Sequence, residues 1–358
     1  MKKENNEKLW YNNIFEEQDV ILSTRVRLSR NLASFPFPSN FKTGEDDRVQ
    51  NIIFDAFVKL PESDSFQIMS LDKIKPNGEK ILFERGYYKG KGTGFITTVE
   101  GDVGCLINEN DHIKISSFVS GLNISDAYEK AKFLDKNLQQ YIQYAASLEF
   151  GYLNSSVFNT GSGMKITVRM HLPSLSHSAE IKDVIKDVQK KGFVFSDSFG
   201  VGNFFDTSLG AYYQVSTNSC LVGNEIDQMA AILSISKYIC DLERKKRQFY
   251  ADNKPTIIRN IVLRAYSMAK FSILLSLRDS IDIISCLKWG IDLGIIEGIQ
   301  DYELNSLLYS IQSGHLEYLK NNSDISFEDD IIQDDLLVED RLRSIVIKSE
   351  VDKIKFIS

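Results

Sequence analysis

The chain has 358 residues, 42 Lys and Arg against 49 Asp and Glu, and a formal net charge of −7. Apolar residues make up 43%, which is ordinary for a globular protein of about two domains. The acidic balance argues against nucleic-acid binding, and no apolar run is long enough to span a bilayer. The four cysteines show no C-x-x-C spacing, so no structural metal is expected. We therefore expect a soluble, cytoplasmic protein without nucleic-acid or membrane partners.

The first 250 residues alternate between strand-like and helix-like patterns. A polar segment, residues 1–19, is expected on the surface. Short apolar runs bounded by turn signals predict strands, and apolar residues recurring every three or four positions predict helices. The predicted strands cover 66–71, 80–84, 94–99, 103–107, 112–116, 164–172, 193–195 and 211–216. The predicted helices cover 125–148, with Ser125 as N-cap, 181–190 and 224–247, the last burying Ile226, Met229, Leu233 and Leu242.

A polar linker is predicted at 251–254, and the pattern beyond it is almost entirely helical, with an acidic tail at 324–340. The order of elements predicts an α+β domain over residues 20–250, followed by a small helical domain over 256–358. Segments 256–276 and 280–296 are rich in Ile, Leu and Val. Because a domain of this size buries little core alone, we expect it to form a homodimer.

Residues 23–31 read Ser-Thr-Arg-Val-Arg-Leu-Ser-Arg-Asn. In a strand, Arg25 and Arg27 point to the same face. Two neighbouring guanidinium groups repel each other unless an anion lies between them, and their forked donors match the oxygens of a phosphate chain. The alternative is a solvated basic edge strand.

Two further segments carry polar groups that suit catalysis. Residues 108–115 read Asn-Glu-Asn-Asp-His-Ile-Lys-Ile, which places two carboxylates, an imidazole and an amine at the start of a strand. Residues 151–165 contain glycines before another strand, where free backbone amides can bind an anion. Taken singly, the first segment could be an ordinary turn and the second a flexible connection.

In combination, the three segments resemble the phosphagen (guanidino) kinase family. The resemblance rests on three motifs in this order: Arg-x-Arg, Asn-Glu-x-Asp-His-Ile, and Gly-Tyr-Leu…Asn-x-Gly-x-Gly. The last motif leads into a strand that ends with His-Leu-Pro at 171–173. Residues 264–266 and 289–298 are similar to its bacterial branch, the protein-arginine kinases. The resemblance runs from about residue 19 to 343. It implies a guanidino-kinase catalytic domain, an antiparallel sheet flanked by helices, and a helical dimerisation domain.

The resemblance also implies a site and partners. ATP with Mg²⁺ would be the phosphoryl donor, and protein arginine the acceptor. Partners would be protein substrates or clients, a zinc-binding activator protein and a Clp-type unfoldase. The implied catalytic residues are Glu109, Asp111 and Asn110, and the implied nucleotide-binding residues are Ser23, Thr24, Arg25, Val26, Arg27, His112, Lys114, Lys165 and Arg169.

Several positions depart from the family pattern. Asn110 replaces the glutamate that acts as the catalytic base, and an amide accepts no proton near neutral pH. Lys114 and Lys165 replace arginines, which keeps the charge but removes the bidentate fork. Residues 196–206 contain no arginine where the family loop has one, Ser156 replaces a cysteine, and Gly86 replaces a histidine. Residues 330–335 are acidic where the family binds phosphoarginine, so no stimulation by phosphoarginine is expected.

Two functions from different classes fit this pattern. The first is a protein-arginine kinase whose phosphoryl transfer is strongly reduced or lost, since each missing donor to the transferring phosphoryl group costs about 2–4 kcal/mol. The second is a non-catalytic pseudokinase, a binding or regulatory module in protein quality control. A kinase for small guanidines is less well matched, because those enzymes carry a long N-terminal helical domain.

Overall fold

The structure is a computed structural model that describes residues 9–13, 15, 17–200, 208–220 and 223–357. The strands are β1 (Ile21–Arg30), β2 (Phe66–Ser70), β3 (Gly94–Thr98), β4 (Val103–Ile107), β5 (Ile113–Ser120), β6 (Ala146–Ser147), β7 (Gly151–Tyr152), β8 (Met164–His171), β9 (Phe193–Asp197), β10 (Tyr212–Thr217), β11 (Ile296–Glu297) and β12 (Lys355–Phe356). The helices are α1 (Glu45–Val58), α2 (Pro76–Glu84), α3 (Ile124–Leu138), α4 (Pro173–His177), α5 (Ile181–Lys190), α6 (Glu225–Asn253), α7 (Pro255–Phe271), α8 (Leu277–Asp292), α9 (Asp301–Ser310), α10 (Ser313–Asn322) and α11 (Asp335–Val351).

Eight strands form one antiparallel sheet in the order β2-β3-β4-β5-β1-β8-β10-β9. The central strand β1 therefore has a partner on each side. Its side chains alternate between the two faces, as the strand period requires. One face carries Val26 and Leu28, which pack into the main core with α1, α3, α5 and α6. The other face carries Arg25 and Arg27 and is lined by polar side chains from β5, β8 and β10.

The C-terminal third is helical and has its own core. Residues from α7, α8, α9 and α11 build this core, and Leu22 and Tyr212 from the sheet region join it. The expected α+β class, with a sheet flanked by helices and a helical C-terminal part, is confirmed. In the described part of the chain, no helix is both long and apolar enough to cross a membrane.

Most predicted strands of the sheet lie within a few residues of their predicted bounds, but the strand predicted at 80–84 is wrong. These residues form the last turns of α2, which begins with Pro76 at its first position. The run Ile81-Leu82-Phe83 cannot be distinguished from a strand by periodicity, because short apolar runs suit both structures.

The helix predicted at 125–148 begins after Asn123, whose side chain caps it, and ends ten residues early at Leu138. The backbone beyond that point is used elsewhere: Ala145 N donates to Asn31 O, and Tyr144 bridges Leu32. A continuing helix could not make these bonds.

The third long helix, α6, differs from its prediction in length and in buried face. It runs through most of the predicted linker, and Lys254 alone separates it from α7. Its core face carries Ile232, Ile235 and Ile239, whereas Ile226 and Leu233, which were predicted to be buried, are exposed. Both faces of α6 carry enough apolar residues to pack against the sheet. The strands beneath the helix therefore determine which face is buried.

The N-terminal segment was expected on the surface, yet Trp10 and Tyr11 are buried. The Trp10 ring lies 5.4 Å from Phe118, and Tyr11 stacks on Tyr309 of α9 at 4.6 Å. Residues 1–8, 14 and 16 of this segment, and residues 201–206 of the arginine-free loop, lie outside the described residues.

Candidate active site

Five cations line the polar face of the sheet. Arg27 on β1 pairs in register with Lys165 on β8, and Arg25 lies one pair further along the strand. Arg169 faces Ser23 at one end of the row, and Lys114 faces Ser29 at the other. The alternation predicted for Arg25 and Arg27 thus brings together charges from three adjacent strands.

These charges lower one another's affinity for protons. Burial lowers the pKa of Arg25, and the nearby Arg27 and Arg169 charges lower it further. Burial also lowers the pKa of Lys165, again with help from Arg27 and Arg25. Arginine nevertheless keeps its charge in proteins. The repulsion within this row of fixed positive charges is therefore relieved by binding an anion, and not by loss of protons.

Neutral groups orient two of the arginines. Arg25 donates to Gly86 O at 3.2 Å and lies over the Phe118 ring at 5.7 Å. Arg169 donates to the Tyr309 hydroxyl at 3.4 Å. Among the described residues, no carboxylate lies within ion-pair distance of either arginine. The guanidinium groups are positioned without being neutralised, as an anion site requires.

Arg27 shows the same imbalance more strongly. Its Nε atom is buried without a hydrogen-bond partner in the described structure. The next arginine, Arg30, points to the opposite face of the sheet, and its guanidinium group is fully engaged by other residues. It makes a bidentate pair with Asp135, with both N–O distances 2.9 Å, and its guanidinium lies 3.6 Å from the centre of the Tyr152 ring. Arg30 is a structural residue, and Arg27 is free for a ligand.

The turn 108–112 brings the predicted catalytic residues to one end of the basic row. The side chain at position 110, where the family pattern has its base, is an exposed amide. Glu109 is engaged by Lys114, whose pKa burial lowers to about 8. Asp111 is buried, and its Oδ1 accepts from Asn31 Nδ2 and Ser155 N, both at 2.8 Å. Both neighbouring carboxylates are therefore already occupied.

Three predicted nucleotide-binding side chains point away from the basic row. Thr24 donates to Gly121 O at 2.7 Å, and Val26 lies in the core. His112 is fully buried: its Nδ1 accepts from Leu32 N at 2.9 Å, and its Nε2 lies 2.8 Å from Pro36 O. Burial also lowers the pKa of His112. Ser23 does lie on the basic face. Nucleotide binding by these positions stays a prediction.

Sequence reasoning missed the residues that hold the site in shape. Asn31 follows the arginine motif directly and fixes Asp111, and Ser155 adds a backbone donor to the same oxygen. Phe118 and Gly86 hold Arg25. Position in the motif could have suggested Asn31, but no local pattern indicated the other three. Within the described ranges, no group of three or more His, Cys, Asp and Glu could hold a metal ion.

Comparisons with known proteins identify the family and the fold. Residues 48–246 match the ATP:guanido phosphotransferase C-terminal catalytic domain, and residues 255–353 match the protein-arginine kinase McsB C-terminal domain. The crystal structure of lombricine kinase covers 66% of this chain and 69% of its own at a TM-score of 0.55 and 20% identity. The substrate-free duplicated taurocyamine kinase from Schistosoma mansoni covers 75% of this chain and 40% of its own at a TM-score of 0.58 and 19% identity. These structures share the fold.

The chain belongs to the ATP:guanido phosphotransferase family. Within that family it is similar to the bacterial protein-arginine kinases. The protein-arginine kinase of Halothermothrix orenii is 27% identical, over 90% of this chain and 93% of its own. That of Clostridium acetobutylicum is 26% identical, over 94% and 100% of the two chains, and that of Geobacillus stearothermophilus is 28% identical, over 86% of each.

Proposed function

We propose that this protein is a protein-arginine kinase relative that binds ATP on the polar face of its sheet and transfers phosphoryl groups slowly or not at all. One observation carries the proposal. The half-buried cations Arg25, Arg27 and Lys165 have no carboxylate partner among the described residues, while an amide, Asn110, stands where the base is needed.

Nucleotide binding follows from the charge imbalance. A triphosphate would accept from the forked donors of Arg25 and Arg27 and gain the ammonium group of Lys165 beside them. Its charge would also relieve the mutual repulsion within the row, which the nearby Glu109 and Asp111 carboxylates offset only in part. Arg169 lies at the end of this row and would extend it.

Phosphoryl transfer needs more than binding. The acceptor guanidinium must lose a proton as its nitrogen attacks the γ-phosphorus, and Asn110 cannot take that proton. Glu109 is held by Lys114, and Asp111 already accepts two hydrogen bonds. Taking over the base role would require either carboxylate to break the contacts that define the turn. Lysines at 114 and 165 also present single donors in place of forks.

A non-catalytic pseudokinase is the second candidate, and the same occupied carboxylates favour it. Incubation with ATP·Mg²⁺ and an arginine-rich protein, followed by detection of acid-labile phosphoarginine, separates the two. A slow, ATP-dependent signal supports a reduced kinase. A complete absence of phosphoarginine, together with an ATP-induced rise in melting temperature, supports a pseudokinase. Absence of both effects contradicts nucleotide binding.

Assembly is part of the proposal. Helix α7 and the residues after it expose a row of large apolar side chains, which supports a homodimer through the C-terminal helices: Ile257, Leu263, Met268, Phe271 and Ile273. Light scattering at micromolar concentration tests the dimer, and a monomer there would count against it. The family resemblance adds protein clients, a zinc-binding activator and a Clp-type unfoldase as candidate partners.

A further inference from the structure

Two large apolar side chains stand in solvent at the edge of the candidate active site. Val157 is 71% exposed and Phe158 is 64% exposed, on a short 3₁₀ turn, Val157–Asn159. Exposing apolar side chains to water is unfavourable compared with burying them. Two such side chains on one turn are therefore typical of a contact surface. We call this pair the 157–158 platform.

Hydrogen bonds to residues of the candidate active site anchor the turn on both sides of the 157–158 platform. On one side, Ser155 N donates to Asp111 Oδ1 at 2.8 Å, next to the base position. On the other side, Cys220 N donates to Phe158 O at 2.9 Å. The turn is also closed internally, because Asn154 Nδ2 donates to Asn159 O at 2.8 Å. The backbone beneath the two apolar side chains is therefore fixed.

The anchors place the platform beside the phosphate end of the site as well. The Cys220 thiol donates to Met164 O at 2.9 Å, directly before Lys165 on β8. The charges of Arg27 and Lys165 act on this thiol, although burial raises its pKa overall. The turn that carries the platform is thus anchored at one end to the residue after the base position and, through Cys220, to the strand that carries Lys165.

This placement distinguishes between acceptor classes. A small guanidine compound would fill the site between acid and phosphate and would gain nothing from two apolar side chains at the rim. An arginine within a polypeptide necessarily brings neighbouring residues, and their side chains must lie against whatever surrounds the site. We propose that the 157–158 platform binds an aliphatic or aromatic residue next to the target arginine of a client protein. The proposal deepens the proposed function and rests on its acceptor class.

The occupant is an extended segment of another protein. Side chains in an extended chain are spaced about 3.3 Å per residue. One apolar residue within two positions of the arginine could therefore reach a platform at the rim while the guanidinium enters the site. Buried apolar segments of folded proteins become available in this form when a protein unfolds. The platform would thus favour unfolded clients over exposed surface arginines, which usually lie among polar residues.

Two fluorescently labelled peptides test this, one with Leu and Phe flanking a single arginine and one with Gly and Ser in their place. Binding is followed by anisotropy without ATP, so it does not depend on catalysis. The unmodified protein should prefer the apolar peptide about tenfold. Phe158→Ser should remove the preference, and Phe158→Leu should keep it, because an aliphatic side chain still provides a dry contact.

Phe133→Ser is the matched control. Phe133 is 56% exposed on α3, which covers the opposite face of the sheet, so this change should leave the preference intact. The proposal is overturned if the unmodified protein binds both peptides equally, or if Phe133→Ser removes the preference as fully as Phe158→Ser. Because the readout is binding, a failure of phosphoarginine formation would count against the proposed activity and leave the platform standing.

Discussion

The molecule contains two clusters of charged side chains that lie largely out of solvent, and the two differ in how their charges are paired. On the polar face of the sheet, Arg25, Arg27 and Lys165 lie together without a carboxylate partner in the described structure. Where the helical third meets the sheet region, Arg247 is half-buried and Lys288 fully buried, but each has carboxylates within ion-pair distance. The two groups differ in whether each cation has a carboxylate partner.

The balanced group joins the two parts of the chain. Lys288 Nζ lies 2.9 Å from Asp301 Oδ1 and donates to Gln18 O at 3.1 Å. Arg247 Nη1 pairs with Asp19 at 2.9 Å, and its Nη2 lies 3.4 Å from Asp292. The segment before β1 is thus tied to α6, α8 and α9 by ion pairs between opposite charges.

The contrast shows how buried charge can be interpreted. Charges that neutralise each other hold elements together, and removing one leaves its partner unpaired at high cost. Charges of one sign that are fixed by neutral groups hold nothing together on their own, because repulsion works against the fold. The second arrangement is the one expected of a site that binds a ligand of opposite charge.

The largest effect expected from this contrast is on stability. Arg30→Met should lower the free energy of unfolding by about 3–5 kcal/mol, since it leaves Asp135 buried and unpaired. Arg27→Met, three residues away on the same strand, should change it by no more than about 1 kcal/mol, because the lost charge had no carboxylate partner and its removal relieves repulsion. Urea unfolding of both variants measures the difference. Equal losses would remove the distinction between balanced and unbalanced charge.

The next effect concerns the ligand. ATP·Mg²⁺ at 100 times its dissociation constant should stabilise the native protein by about 2.7 kcal/mol through mass action. Arg25→Ala combined with Arg27→Ala should abolish the resulting rise in melting temperature. Arg259→Ala on α7 is a suitable control, because Arg259 is exposed and remote from the sheet. A double variant that still responds fully to ATP would place the nucleotide elsewhere.

The periodicity of the sequence gave reliable guidance where one face of an element is clearly apolar. Helix α5 matches its predicted bounds, Ile181–Lys190, and the strands β3, β4 and β8 lie close to theirs. Periodicity failed where tertiary contacts determine the end of a helix or its buried face. Helix α3 ends early because residues 144 and 145 bond to the segment after β1, and α6 buries the face that the strands require. Neither interaction is local, so no sequence window contains it.

The site divides in the same way. The common face of Arg25 and Arg27 could be worked out from strand period, whereas their proximity to Lys165 and Arg169 depends on the pairing of β1 with β8. The occupancy of Glu109 and Asp111 could not, because their partners come from another strand position, a loop and the backbone. The sequence also gave no reason to expect Trp10 and Tyr11 in the core, since the aromatic partners lie more than 100 residues away.

A smaller effect should appear in the pH dependence of stability. Burial, together with the charges of Asp301 and Asp19, raises the pKa of Asp292 to about 7. A carboxyl group whose pKa is raised on folding stabilises the protein at low pH, and that stability is lost as pH rises through the folded pKa. The contribution of Asp292 to the free energy of unfolding should therefore fall between about pH 4 and pH 7.

Asp292→Asn isolates this contribution. The variant should gain stability relative to the unmodified protein as the pH rises from about 4 to 7 and keep that advantage at pH 8, because the amide resembles the protonated acid at every pH. His171 lies in the same region, and burial with the Lys288 and Arg247 charges holds its pKa well below the usual value, so it acts in the opposite direction. Both proteins keep His171, and the difference between their urea-unfolding profiles cancels it. Parallel profiles would show that Asp292 is ionised throughout.

The smallest effect is expected from restoring the carboxylate at the base position. Asn110→Glu places a proton acceptor where the family pattern has one, on an exposed turn that accommodates it without repacking. If the missing base were the whole defect, phosphoarginine should form at a measurable rate. We expect no more than a trace. Lys114 would still hold Glu109, and the lysines at 114 and 165 would still present single donors to a phosphoryl group that needs forked ones.

Groups that act together on one transition state do not contribute independently, so repair of one leaves the others limiting. Activity should return in the combination of Asn110→Glu with Lys114→Arg and Lys165→Arg, and rise further when an arginine is introduced between positions 196 and 206. Acid-labile phosphoarginine is the readout for each variant, with the ATP-induced melting shift as a check that the nucleotide still binds. If Asn110→Glu alone reaches the rate of an ordinary kinase, about 1 s⁻¹ or more, the base is the only catalytic part that this chain lacks, and the unbalanced cations already suffice for transfer.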